Sequence, residues 1–440
     1  MSTTATATHD CRAATRFVFS VCGTAGDAYP LIAIAAELVR RGYPCHLLAN
    51  EPFETLAAAQ GVGFTAIAPP QENNLTSVEH NFGTYLFPSY ERTFRFFERE
   101  VKRSDQVVVV NTDNYSASNS LAELYDLPIC RAHVTPFTIR SWVDPACPWK
   151  QQARGPLGQT FLKYLLPRLY ETWDTYPFVL ARLNEHRRRW GLAEVRTLRH
   201  SEERVRQRLA LFPRWYRAPA PDWPNNLAFH GFPLPRSTAE APPILSRHIE
   251  AHGRPLVFTP GTGVPDVDSF FTHAQRCCDL LRMPGVFLSP HARRGALGYG
   301  SRVLQLDYVD LELVLASAAL LVHHGGIGTT ARALQAGIPQ IISPLAYDQP
   351  DNGWCIEQLG AGATIQRAAL SGESLAEAAS TLLGSEPTLA AVRQARERIA
   401  TGGDAAAAVA ESLAEAFAPP ARAESTHRAR RDGGPVRERL

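Results

Sequence analysis

The chain has 440 residues, 45% of them hydrophobic and 20% charged, with a formal net charge of +2. That length exceeds what one compact core supports and calls for two domains, and the near-balanced charge argues against any general affinity for nucleic acid. The eight cysteines (Cys11, Cys22, Cys45, Cys130, Cys147, Cys277, Cys278, Cys355) show neither CxxC spacing nor histidines at metal-ligand intervals, which argues against zinc and for reduced core packing.

Residues 1–15 are rich in Ser, Thr and Ala and read as a disordered leader, with no apolar segment long enough for a signal peptide or a membrane span. A cytoplasmic setting is therefore expected. Residues 17–21 (FVFSV) form a buried strand, broken by Gly23-Thr24-Ala25-Gly26-Asp27. A helix follows, with Leu31, Ile34, Ala35, Leu38 and Val39 on its apolar face, and it ends at Gly42. Residues 44–49, 63–67, 106–110 and 128–133 are further strands. Apolar strands alternating with helices predict a parallel sheet covered on both faces, which defines an N-terminal domain over 16–216. Within it, 142–216 is aromatic, Arg-rich and expected to be helical. Many prolines (Pro213 to Pro243) mark 217–252 as an interdomain linker. Leu256–Thr259 restarts the alternation, giving a second domain over 253–403, then a last helix at 404–418 and a charge-rich, disordered tail at 419–440.

The most telling run is 322–353, VHHGGIGTTARALQAGIPQIISPLAYDQPDNG. A strand ends at Val322, residues 323–330 make a glycine turn, a helix runs over 329–335 to Gly337, and a strand occupies 338–342. Asp348-Gln349 fall in the loop after it. A helix that begins on small residues offers free N–H groups and partial positive charge to an anion. A pyrophosphate fits there, with His324 in reach of one oxygen.

This run resembles the donor-binding signature of the UDP-glycosyltransferase superfamily. Those are inverting sugar transferases with the α/β GT-B fold, two Rossmann-like domains facing each other across a cleft. The competing reading is a Rossmann-like turn that is merely rich in glycine. The resemblance assigns His324, Gly326, Gly328 and Thr329 to the pyrophosphate, Gly337-Ile338-Pro339 to the turn, and Asp348 and Gln349 to the sugar hydroxyls. It implies displacement at an anomeric carbon with no metal and no cofactor beyond the nucleotide-sugar, dTDP- or UDP-linked. Plant members carry a His base in the first glycine loop, where this chain has Asp27, as several bacterial and sterol-directed relatives do. Asp27 is therefore the general base, or it simply caps a helix starting near Pro30. Asp113 matches a second acid that orients that His, and with no His here a loop or cap role is as good. Tyr308 matches the aromatic that stacks on the base, with Val309 as backbone partner, although a plain strand-end Tyr fits as well. Thr259, Gly261 and Thr262 would face the phosphates or ribose from the other side. Arg332 replaces the Glu that holds both ribose hydroxyls, which favours dTDP over UDP unless Arg332 is only solvated.

The aromatics of 82–97, including Phe82, Tyr85 and Phe87, and the stretch beginning at Trp142 suggest a greasy acceptor site or plain helix core. Three segments, 211–216 (LFPRWY), 231–234 (GFPL) and 254–259 (RPLVFT), resemble the bacterial rhamnosyltransferases of the rhamnolipid type. The likeness runs from residue 17 to about 400. The leading expectation is hexosyl transfer, rhamnosyl from dTDP-rhamnose, to a hydroxyl of a hydrophobic small molecule. The alternatives are a UDP-glucose-dependent glucosyltransferase on a sterol- or carotenoid-like acceptor, and a catalytically silent GT-B partner. The basic, aromatic segment 150–189 reads either as a peripheral contact with the inner face of a membrane or as a helix packed on its neighbour.

Overall fold

The computed structural model describes residues 15–70, 78–103, 105–144, 177–235, 237, 239–261, 267–289, 302–307 and 309–417. Two parallel sheets organise them. The first has the order β3-β2-β1-β4-β5-β6-β7, from β1 (Thr15–Ser20), β2 (Cys45–Asn50), β3 (Gly63–Ala68), β4 (Gln106–Asn111), β5 (Ile129–His133), β6 (Val205–Ala210) and β7 (Leu227–Phe229). The second has the order β10-β9-β8-β11-β12-β13, from β8 (Leu256–Thr259), β9 (Gly285–Leu288), β10 (Val303–Leu306), β11 (Leu320–His323), β12 (Gln340–Ile342) and β13 (Gly362–Thr364). Val107 to Val110 and Leu320 to Val322 are buried throughout, the signature of strands covered on both faces. Two Rossmann-like sheets flanked by helices are the GT-B architecture.

Eight helices matter for the site: α1 (Ala25–Arg40), α2 (Phe87–Glu100), α3 (Ala117–Tyr125), α4 (Pro177–Arg189), α5 (Leu311–Leu315), α6 (Ile327–Ala336), α7 (Gln349–Gln358) and α8 (Ala405–Phe417). The last crosses back onto the first sheet. Ala406, Val409, Ala410 and Leu413 share a core with Leu31, Ile34 and Leu38 of α1. Arg41 also donates to the Ala407 carbonyl at 3.1 Å.

Two stretches differ from expectation. The region 142–216 is not helical throughout, because it contains β6; 145–176 lie outside the described residues. The strand was hidden by Arg206, Gln207 and Arg208, and two of these find polar partners that offset their burial, one far along the chain and one six residues away. Gln207 bonds Ser412 of α8 at 2.6 Å, and Arg208 pairs with Glu202 at 2.6 Å. The proline-rich stretch is not a free linker either. It carries β7 and the helix Pro243–His252. Its aromatics Tyr216, Trp223 and Phe232 pack with Phe212 against Ile327, Leu334 and Val392 of the second domain. Its prolines interrupt the helical and strand patterns while its aromatic residues fill the junction.

Cys45, Cys130, Cys277, Cys278 and Cys355 are buried free thiols and Cys22 is half-buried. Cys11, Cys147 and most of the segment 150–189 lie outside the described residues. No described helix is long and apolar enough to cross a membrane.

Candidate active site

Each sheet has a switch point where strand order reverses, between β1 and β4 and between β8 and β11. Loops leaving such neighbours diverge and open a crevice at the carboxyl ends of the strands. Asp27 follows β1, Asp113 follows β4, Gly261 follows β8 and His324 follows β11. The two crevices face each other. A Cβ on Gly328 would lie 3.9 Å from the Gly26 Cα, so the first turns of α1 and α6 meet across the cleft.

On the donor side, α6 begins two residues earlier than the sequence suggested, with Gly326 as its N-cap and Gly337 ending it at φ +71°. The adjacent histidines have different surroundings. His323 is buried; its Nδ1 accepts from the Gly325 N–H at 3.1 Å, so its Nε2 donates to Gln340 Oε1 at 2.9 Å. Burial pushes it down to about 3 and keeps it neutral. His324 is held between two glycines. A Cβ on Gly261 would fall 2.5 Å from its Nδ1 and one on Gly326 2.6 Å from its Nε2. Burial lowers this imidazole to about 4, and its buried Nδ1 has no hydrogen-bond partner. A neutral ring with an unpaired nitrogen beside helix N–H groups is suited to an anion. Thr330 is committed to the fold through its bond to the Gly326 carbonyl at 3.0 Å, while Thr329 sits half-buried in the first turn. Thr259 ends β8 beside His323.

Gly261 has φ +85°. Gly261→Ala should therefore cost about 1–2 kcal/mol in backbone strain and displace the His324 ring. We expect nucleoside-diphosphate affinity to fall about tenfold or more, beyond what the stability loss explains. Calorimetric titration beside chemical denaturation checks this; unchanged affinity would mean that His324 does not touch the ligand.

Asp348 and Gln349 are not in a loop. Asp348 is the N-cap residue of α7 and Gln349 its first residue, because Pro350 suits the first turn. Gln349 Oε1 accepts from the Leu345 and Ala346 N–H groups at 2.8 and 3.2 Å, leaving its amide nitrogen for a ligand. Asp348 accepts from Asn352 at 2.8 Å. Burial, reinforced by the charge of Asp27, pushes its carboxyl up to about 7. The start of α7 and the glycine turn before α6 are close: a Cβ on Gly325 would lie 3.1 Å from the Gln349 carbonyl oxygen.

On the acceptor side, α1 starts at Ala25 and not near Pro30, with Thr24 as N-cap. Asp27 closes a capping box, accepting from the Thr24 N–H at 3.0 Å and hydroxyl at 3.2 Å. Cap and cleft-facing carboxylate are thus the same group. Burial raises its carboxyl, and the Thr24 bonds pull it part of the way back. Asp113 accepts from the Tyr115 and Ser116 N–H groups at 2.9 and 2.6 Å, a turn role ahead of α3. Burial raises its carboxyl, the Arg131 charge and these bonds oppose the rise, and the Asp27 charge adds to it.

Arg332 is not solvated. It is buried and pairs with Glu312 at 3.1 Å, Gln335 at 2.7 Å and the Pro235 carbonyl, tying α6 to α5 and the segment before it. Val309 packs beside Leu245 and Val314. Tyr308 and Thr262 lie outside the described residues.

Among the acceptor aromatics, Phe82 and Tyr85 occupy a π-helical turn, Phe82–Leu86, a form common near functional sites. Phe82 sits edge-on to Tyr115 at 5.2 Å, Tyr85 is buried, and Phe87 packs on Tyr90 at 6.0 Å. Asn81 donates to the Tyr347 hydroxyl at 2.8 Å, which brings this turn beside Asp348. Trp142 is 37% exposed with the Arg140 guanidinium 3.8 Å over its ring. Sequence reasoning missed Tyr216, Arg217 and Asn352, which join the two halves. No local signal distinguishes them, since their partners are far away in the chain.

Residues 17–131 match the family model described as glycosyltransferase family 28 N-terminal domain. Residues 293–415 match the one described as erythromycin biosynthesis protein CIII-like, C-terminal domain. The chain is 24% identical to O-mycaminosyltylonolide 6-deoxyallosyltransferase of Streptomyces fradiae, over 91% of this chain and 98% of that one. It is 25% identical to a sterol 3-beta-glucosyltransferase of Leptosphaeria maculans, over 78% of this chain and 25% of that protein. Its fold is similar to the spinosyn rhamnosyltransferase SpnG complexed with thymidine diphosphate, with a TM-score of 0.63, 18% identity, and coverage of 91% and 99%.

Proposed function

This chain is a glycosyltransferase of the GT-B fold, related to bacterial natural-product glycosyltransferases, and we propose that it is an inverting, metal-independent enzyme. It moves a hexosyl group, rhamnosyl from dTDP-rhamnose, to a hydroxyl of a hydrophobic lipid or natural product. The acceptor oxygen attacks the anomeric carbon while the bond to the diphosphate breaks. The hydroxyl proton passes to the Asp27 carboxylate, and the departing negative charge goes to the α6 N–H groups and His324. Asp348 and the Gln349 amide nitrogen hold the sugar hydroxyls.

The observation that carries this reading is the meeting of two helix starts across the cleft. One bears a carboxylate at Asp27 and the other an unpaired, neutral imidazole at His324. Three further points favour a dTDP-sugar and a greasy acceptor. Arg332 offers no carboxylate to a ribose 2′-hydroxyl and is engaged elsewhere. A similarly folded rhamnosyltransferase carries thymidine diphosphate. Phe82 stands beside the Asp113 turn, packed on Tyr115. The sterol glucosyltransferase likeness favours a second reading, glucosyl transfer from UDP-glucose to a sterol-like acceptor.

A thermal-shift titration with dTDP and UDP tests the donor. A ligand that binds only the folded state at 100 times its Kd adds about 2.7 kcal/mol of stability. We expect dTDP to raise Tm more than UDP does. A UDP preference selects the glucosyl reading, and no shift with either nucleotide overturns both and leaves a catalytically silent partner protein.

A further inference from the structure

Asn352 in α7 is fully buried, and each end of its amide makes two hydrogen bonds. Nδ2 donates to the Gly325 carbonyl at 2.9 Å and to Asp348 Oδ2 at 2.8 Å, both in the donor half. Oδ1 accepts from the Tyr216 hydroxyl at 2.9 Å and from Thr135 Oγ1 at 3.3 Å. Thr135 follows β5 of the acceptor half, and Tyr216 follows β6. A carbonyl and a carboxylate only accept, so the amide nitrogen has to face them and the oxygen has to face the acceptor half. That oxygen would be buried and unpaired without the two hydroxyls, at a substantial desolvation cost. The next residue reinforces the junction. Arg217 pairs with Asp144 at 2.6 Å and Asp351 at 3.6 Å, and lies 4.3 Å over the Trp354 ring.

We propose that Asn352 is a positioning residue that aims Asp348 at the donor sugar only when the acceptor half, through Tyr216 and Thr135, is docked on its other end. This rests on the role given to Asp348 in the function proposed above. Donor-sugar recognition is then coupled to the arrival of the acceptor domain, a contact between sites over a fully satisfied polar group.

The test compares dTDP with dTDP-rhamnose, or UDP with UDP-glucose if the unaltered protein binds those, on Asn352→Asp, Tyr216→Phe and the unaltered protein. Lacking the sugar, dTDP reads the nucleoside and diphosphate contacts, and the sugar nucleotide also reads Asp348. Tyr216→Phe should keep dTDP affinity within about twofold and weaken dTDP-rhamnose about fivefold. Asn352→Asp, which sets a carboxylate against Asp348 and the Gly325 carbonyl, should weaken dTDP-rhamnose by at least about tenfold. It should also move the acid limb of kcat/KM upward, because Asp348 loses its bond from Asn352 while Asp27 and Asp351 still face it. In an Asp348→Ala background, Tyr216→Phe should have no further effect on sugar affinity. Equal losses for dTDP and dTDP-rhamnose, or additive effects in the double variant, would overturn the inference, since a merely structural residue gives that result. Failure of the unaltered protein to bind either pair would instead overturn the proposed function itself. If Asn352→Asp does not fold, the single hydroxyl removed in Tyr216→Phe still decides the matter.

Discussion

His324→Ala should weaken nucleoside-diphosphate binding by about 10–100-fold and lower kcat by about 10²–10³-fold, the usual cost of one donor to developing negative charge. Its stability should change little. The Nδ1 of His324 has no hydrogen-bond partner in the fold, so truncation orphans no other polar group. The neighbouring residue provides the contrast. His323 bonds both Gln340 and the Gly325 N–H, so His323→Ala leaves two buried polar groups unpaired and should cost about 2–5 kcal/mol. Two adjacent histidines should therefore separate cleanly, one losing ligand and the other losing stability. Chemical denaturation, calorimetric titration with dTDP, and steady-state rates on both variants check this. Full dTDP affinity in His324→Ala would remove the diphosphate from the start of α6.

Asp27→Asn should lower kcat by about 10²–10⁴-fold, the range of general-base catalysis, while leaving dTDP affinity intact. The capping role can be held apart from the chemical one. An Asn side-chain oxygen can still accept from the Thr24 N–H, so Asp27→Asn should retain stability, whereas Asp27→Ala should lose about 1 kcal/mol. The pH profile carries a second signature. Asp27 accepts a proton only when ionised, so the rate falls as pH drops through its folded pKa. Burial lifts that pKa above the ordinary value of about 3.9, and the Thr24 bonds offset only part of the rise. The acid limb should therefore lie above the ordinary carboxylate range. Asp348, pushed up to about 7 and sensitive to Asp27, titrates as part of the same coupled system. Removing the Asp27 charge should abolish its own limb and let the Asp348 carboxyl fall. A residual rate within tenfold of the unaltered enzyme, with an unchanged acid limb, would assign the base elsewhere.

The local structure around the glycine turn was legible because its signals are local. Apolar β11, the glycine turn, and Gly337 in the left-handed region each follow from a few consecutive residues. Asp27 was legible as a glycine-loop residue, but the start of its helix was placed five residues late, near Pro30. That proline sits in the second turn, where it only leaves the Gly26 carbonyl without a helical partner. β6 and β7 were missed for the opposite reason. Their polar or proline-flanked sequences carry little periodicity, and their strand state comes from pairing with β5 and with each other.

By itself, the sequence determined the alternating parallel architecture, the glycine turn after β11 and the end of α6 at Gly337. All of these rest on spacing within one turn, one strand or one cap. Only the tertiary structure decided that Arg332 is an internal tie to Glu312, that Asp27 and Asp348 share one electrostatic environment, and that Asn352 joins Gly325 and Asp348 to Tyr216 and Thr135. The physical reason is the same in each case. A buried polar group takes its orientation and charge state from partners that folding brings up from distant parts of the chain, and local spacing holds no record of them.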